Sequence, residues 1–362
     1  MMYPAGRKER CYSAIPSLTQ RRKPPRLLSA KDIRSSLHIH ESMPYRTQYA
    51  YVTLVSTEEF LPGALLLGWS LRKTGTNYDC IAMVVPEITR QARAILRKIF
   101  SRVVEVESIK TNRRTPNLRF LPLEDRAEFS HRLTRCNVFK FIEYEKVLFI
   151  ENNVYAVRKI DELFQLQAPA GISSLVDSSS QTKLHGISLS SEHTTKALDM
   201  SRGIRGSILL LTPSISLYQF CHTFKRRHSY PHFIRPDEEF MTKLFLGQWT
   251  HIDSKFATVP WQANKIRCDI YGICLESFRW WKDDCRNCEE ARQWRLEAIR
   301  MTKDIPQTRG PFRNMVWFKE IEQNIPASPE PNFVSTTELL DKAHLFGKNS
   351  MLTYNQGSTM IK

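Results

Sequence analysis

A mostly parallel β-sheet with helices on both faces is the fold class that this 362-residue sequence predicts. Two observations carry the prediction. Short apolar, β-branched runs alternate with helix-forming segments over about a hundred residues, the signature of strands linked by crossover helices. The runs are almost continuously apolar rather than alternating, as strands covered on both faces are. Composition agrees: 41% hydrophobic and 25% charged residues are ordinary for a folded globular protein.

The elements follow in order. Tyr49–Val55 reads as a central strand. Ser56 and Thr57 can cap a helix that has Glu58 and Glu59 in its first turn, Pro62 near its start, and Leu61, Leu65 and Trp69 facing inward. Cys80–Val85 is the next strand, closed by Pro86. In the helix expected over Thr89–Phe100, Ala92, Ile95 and Ile99 share a face, and Arg90, Arg93, Arg97 and Lys98 lie mostly on the others, as a solvated surface. Val103–Val106 is a short strand, Asn112–Pro122 a loop, Phe129–Tyr144 a helix and Val147–Ile150 a strand. Residues Ile172–Ser201, serine-rich and poor in large apolar side chains, predict an insertion or mobile loop. Ser207–Thr212 is one more buried strand. Helices are expected from Ser214 to Lys225 and from Pro236, the latter with three acidic residues in its first turn.

The net charge of +16 is unevenly spread. Residues 1–47 predict a disordered basic arm, 48–300 the α/β domain and 301–362 a C-terminal extension or tail. The arm is either a solvated tail or a targeting segment, whose Arg- and Ser-rich composition it shares; a cytoplasmic location is expected. No apolar run reaches the roughly 18 residues that a membrane helix needs. No recognised nucleic-acid motif accompanies the basic residues, so nucleic acid is not an expected partner. Eight cysteines include Cys285 and Cys288, a C-x2-C pair. Cys268 and Cys274 are spaced too widely to complete the usual zinc site, which leaves a disulfide or free thiols as alternatives.

In open α/β sheets ligands bind beyond the C-terminal ends of the strands. Two polar segments fall there: Ser56–Phe60 after the first strand and Glu151-Asn152-Asn153 after the strand that ends at Ile150. They are far apart in sequence, but the topology brings them together.

Three blocks of the sequence resemble retaining glycosyltransferases of family 8, the glycogenin-like enzymes. They are Val52–Thr57 with Gly63–Leu71, Leu133–Val154 with Ile160–Phe164, and Ile204–Ser214 followed by Asp237-Glu238. The resemblance covers about residues 49–260 and implies a Rossmann-like nucleotide-diphospho-sugar transferase fold of the GT-A type. It implies a UDP-sugar donor, a hydroxyl acceptor on a glycan or protein, and transfer of a hexose or N-acetylhexosamine with retention of configuration. It places Leu54, Val55 and Ser56 along the donor base, Phe60 stacked on it, and Arg135 on the phosphates. Arg205 and Gly206 fall beside the donor sugar, Asp237 and Glu238 on the catalytic pair. Glu151 and Asn153 fall on the two aspartates that hold a divalent metal, Mn2+, against the diphosphate.

Several positions depart from the family pattern. Glu-x-Asn replaces Asp-x-Asp, removing one formal charge, and hard cations favour carboxylate oxygens. Arg205-Gly206-Ser207 replaces Asn-Ser-Gly, Glu238 replaces Gln, and Ile234 replaces an aspartate. The distal metal and phosphate motif has only an echo in His344, Gly347 and Lys348. Two functions remain open: a working transferase, or a catalytically impaired binding or regulatory protein on the same fold.

Overall fold

The computed structural model describes residues 47–109, 131–177, 179–200, 203–227, 236–259, 269–274, 281 and 289–324. Its centre is a seven-stranded sheet of order β3-β2-β1-β4-β7-β6-β8. The strands are β1 (Thr47–Val55), β2 (Asp79–Val84), β3 (Arg102–Glu105), β4 (Tyr144–Ile150), β6 (Ala170–Ser173), β7 (Ile204–Leu211) and β8 (Thr250–His251). β5 (Val154–Ala156) and β9 (Gly272–Cys274) form a separate antiparallel pair. β3, β2, β1 and β4 run parallel. The direction reverses at β7, which is antiparallel to both β4 and β6. The predicted α/β class with a mostly parallel sheet is therefore the observed one.

The helices are α1 (Leu61–Lys73), α2 (Arg90–Leu96), α3 (Gln181–Leu184), α4 (Ser191–Asp199), α5 (Ile215–Arg227), α6 (Pro236–Leu244), α7 (Glu289–Asp304) and α8 (Val316–Asn324). They divide the core between the two sheet faces. On one face Tyr51, Val55, Leu148 and Ile150 pack with α1, α2, α7 and α8. On the other, Val52, Val147, Phe149 and Leu209 pack with residues 133–141, α5 and α6. α1 is buried from Leu61 to Leu71 because it is apolar on all sides, a helix sandwiched rather than laid on a surface.

Three expectations need correction. Residues 172–201 are not simply a loop: α3 and α4 lie there, and Ser190 caps α4 by accepting from the His193 N–H. The segment that reads as a helix from Phe129 is a 3-10 helix, Arg132–Lys140, and Tyr144 already belongs to β4. The boundary placed at residue 300 falls inside α7, and Met301, Phe312, Trp317 and Phe318 are part of the main core. The aromatic residues of this C-terminal segment drive that burial, Trp294, Phe312, Trp317 and Phe318 packing ring against ring. Residues 1–46 of the N-terminal arm, Cys268, Cys285, Cys288, Ile234 and the echo at His344 lie outside the described residues, and Thr47, placed in the arm, opens β1.

Gly63 marks a close approach. A methyl group there would overlap the Asn152 carbonyl and come within 2.8 Å of the Trp281 ring. Gly63→Ala is expected to lower stability by about 1–3 kcal/mol, as overpacking of a tight interior does. Urea unfolding measures it, and an unchanged midpoint would show that the contact yields freely.

Candidate active site

At the C-terminal end of the sheet the polar turn after β4 meets the end of β1. The Asn152 side-chain amide donates to the Leu54 carbonyl at 2.8 Å, tying the loop after β4 to the end of β1. The Glu151 N–H donates to the Ser207 carbonyl, and the Val154 N–H to the Glu151 carbonyl, both at 3.0 Å. The triplet Glu151-Asn152-Asn153 is thus a tight turn between β4 and β5, held from both sides.

Around Glu151 the chain assembles a cluster of charge. One Arg135 nitrogen, Nη2, lies 2.6 Å from Glu151 Oε1 and 2.8 Å from Asp237 Oδ2. Its other terminal nitrogen donates to the Gly206 carbonyl at 3.2 Å. The guanidinium also lies over the Phe149 ring, 5.1 Å from its centre. Arg132 Nη1 is 3.6 Å from Asp237 Oδ1. The Gly206 N–H donates to Glu238 Oε1 at 2.9 Å. A Cβ at Gly206 would overlap an Arg135 terminal nitrogen, so the guanidinium keeps this position only beside glycine or by shifting.

Local structure explains the positions. Arg132 and Arg135 stand three residues apart on a 3-10 helix, where side chains at that spacing eclipse, so both point at one place. Asp237 and Glu238 sit in the first turn of α6, where exposed N–H groups and the helix dipole favour negative charge. The Thr242 hydroxyl accepts from the Ile204 N–H and donates to the Glu238 carbonyl, locking α6 to the start of β7.

The cluster is largely out of water. Asp237 is fully buried and Arg135 has 5% of its side chain exposed, whereas Glu151 and Arg132 keep 22% and 23%. Burial alone would raise the Glu151 pKa, but Arg135 and Arg132 outweigh it and hold the carboxyl below its usual range. For Arg135, burial opposes the charge, and Asp237 and Glu151 more than restore it.

The structure brings together Arg135, Glu151, Gly206, Asp237 and Glu238, with Leu54 joined through Asn152. Val55 and Ser56 are buried at the end of β1 and Arg205 is half-buried on β7. Phe60 does not present an open ring: it is 5% exposed and packs edge-on against Trp281, 6.0 Å between ring centres. A cavity of about 690 Å³ opens beside the same strand end, lined by Glu58, Glu59, Leu61, Pro62, Trp281 and Arg313 among others. None of the ion cluster lines it.

Sequence reasoning missed Arg132 and the role of Asn152. The three-residue spacing to Arg135 was the available signal for Arg132, but it reads as one face only if the helix has three residues per turn.

The described residues do not fit a hard divalent cation. Among the described residues no group of three or more His, Cys, Asp or Glu side chains gathers to hold a metal. Of the two expected ligands, Asn153 is an amide, and Glu151 directs Oε1 at a guanidinium. The four described free cysteines, Cys80, Cys136, Cys221 and Cys274, are buried and belong to no such group.

No family model matches the chain. It is similar to glycogenin from Neurospora crassa, 33% identical over 117 residues, which is 32% of this chain and 16% of that protein. It is similar to human glycogenin-2, 31% identical over 118 residues, 33% of this chain and 23% of that protein. The chain thus spans well under half the length of these relatives. In fold it is similar to the crystal structure of the galactosyltransferase LgtC in complex with donor and acceptor sugar analogues. That likeness has a TM-score of 0.50 at 13% identity, covering 72% of this chain and 99% of the other. Among the described residues no helix is long and apolar enough to cross a membrane.

Proposed function

We propose, from the premise that this chain is a glycogenin-like protein of glycosyltransferase family 8, that it transfers a sugar from a UDP-sugar to a hydroxyl acceptor. The observation that carries the reading is the cluster of Arg132, Arg135, Glu151, Asp237 and Glu238 at the C-terminal end of a GT-A-type sheet, beside the end of β1. Such a cluster can meet a diphosphate with guanidinium groups, whose planar fork suits phosphate oxygens. The partly exposed Arg132 is the group placed to touch it. Fully buried Asp237 acts through Arg135 and is a positioning residue in this reading.

Transfer of a hexose or N-acetylhexosamine with retention then requires no protein base. The acceptor oxygen bonds to the anomeric carbon on the face from which the diphosphate departs, and the departing phosphate oxygen takes the acceptor's proton. Incubation with UDP-glucose, UDP-galactose and UDP-N-acetylglucosamine, followed by assay of released UDP and by calorimetric titration, tests the reading. Absence of both binding and UDP release with every donor would sink it.

A second reading, a binding or regulatory protein that has lost transfer, is favoured by the engagement of Glu151 with Arg135 and by the amide at Asn153. UDP release that appears only in the double variant Glu151→Asp/Asn153→Asp supports it, whereas turnover by the natural sequence excludes it.

A further inference from the structure

The misfit between the expected metal and the residues present has a physical answer within the chain. Two carboxylates, Glu151 and Asp237, face two guanidinium groups, Arg135 and Arg132. Two fixed positive charges against these two carboxylates is the same formal balance that a divalent ion gives to a pair of aspartates; the third carboxylate of the cluster, Glu238, accepts from the Gly206 N–H. Arg135 is built in rather than resting on the surface. It is 5% exposed, lies over the Phe149 ring, is bonded to the Gly206 carbonyl, and fills the space that a side chain at Gly206 would take. A cation added at Glu151 would compete with a charge-assisted contact of 2.6 Å. It would then find an amide where the second carboxylate is needed.

We infer that this chain binds a nucleoside diphosphate without a divalent metal, Arg135 acting as the internal counter-cation and Arg132 as the group that contacts the phosphates. The inference rests on the proposed donor site. Arg135 contacts both Glu151 and Asp237 and, with Arg132, offsets their two charges, while Glu238 is turned to the Gly206 N–H. Arg132 keeps 23% of its side chain exposed, with Nη1 3.6 Å from Asp237, so it presents positive charge at the solvent edge of the cluster.

The test is calorimetric titration of UDP into the full chain, once in EDTA and once in excess MnCl2. The expected result is binding in both, with dissociation constants within about twofold of each other. Arg132→Ala is expected to weaken UDP binding in EDTA about tenfold, as loss of a charge-assisted phosphate contact does, with Arg132→Lys recovering part of it. Because Arg132 is partly exposed, both variants can be checked for an unchanged melting temperature beforehand. Binding that needs manganese, or Arg132→Ala binding UDP as tightly as the natural chain, would overturn the inference and leave the donor site standing. No UDP binding under either condition would overturn the donor site itself, and the inference with it.

Discussion

Arg135→Ala is expected to lose about 3–5 kcal/mol of folding stability, the cost of removing one partner from a buried ion pair. The size follows from what is left behind. Asp237 is fully buried and loses its 2.8 Å contact, with Arg132 standing 3.6 Å from its other oxygen. Glu151 loses its 2.6 Å contact and the Gly206 carbonyl loses its donor. Arg135→Lys keeps the charge, but an ammonium cannot reproduce the fork that reaches Glu151, Asp237 and Gly206 together, so an intermediate loss is expected. Urea denaturation of the three proteins at neutral pH measures this. If Arg135→Ala unfolds within about 1 kcal/mol of the natural chain, below the cost of a lost charged hydrogen bond, the cluster is not structural.

Stability is also expected to fall as the pH drops from about 6.5 toward 4, by up to about 3 kcal/mol from His251 alone. His251 is fully buried, its Nδ1 accepting from the Ser173 N–H at 3.3 Å and its Nε2 paired with Gln181 Oε1 at 3.0 Å. An Nδ1 that accepts carries no proton, so the folded protein holds the neutral ring. Burial pushes its pKa down to about 4; His185 and His193 add to the shift and Asp253 opposes it. Between the unfolded value near 6.5 and the folded value, the unfolded chain therefore binds the extra proton, and acid favours unfolding. His185 and His193 are also lowered by burial, which gives the same sign. Unfolding free energies at pH 7.5, 5.5 and 4.5 should show the slope, and His251→Asn should reduce it. An equal slope in the variant would assign the effect elsewhere.

The sheet was legible in the sequence because its strands are continuous apolar runs: β1, β2 and β4 begin and end within three residues of where the pattern places them. The site was legible to the extent that it follows strand ends. The turn at Asn152 meets Leu54 because the parallel strands β1 and β4 end side by side, and Asp237 and Glu238 stand together because acidic residues open a helix. The pairing of Arg135 with Glu151 was not legible, since it depends on a side-chain rotamer and on the space left by Gly206. Arg132 was hidden by the difference between 3.0 and 3.6 residues per turn. The small elements α3 and α4 were missed because local propensity in 172–201 is weak. Their place is set by tertiary bonds: Thr182 to Asp253, Gln181 to His251, and His193 to Ser173.

The close approach of Gly63 to Asn152 and Trp281 bears on how this chain can be divided or recombined. Gly63 on the first helix lies against both the turn that carries Glu151 and Trp281, an aromatic residue 130 positions after Glu151. Trp281 is in turn pinned by the Trp317 indole N–H, which donates to its carbonyl at 2.8 Å. The stretch that matches glycogenins, 117 or 118 residues long, cannot reach from Leu54 to Trp317. Grafting a stretch of that length alone onto another scaffold would leave part of this path behind. The unit that must travel together runs from β1 through α8.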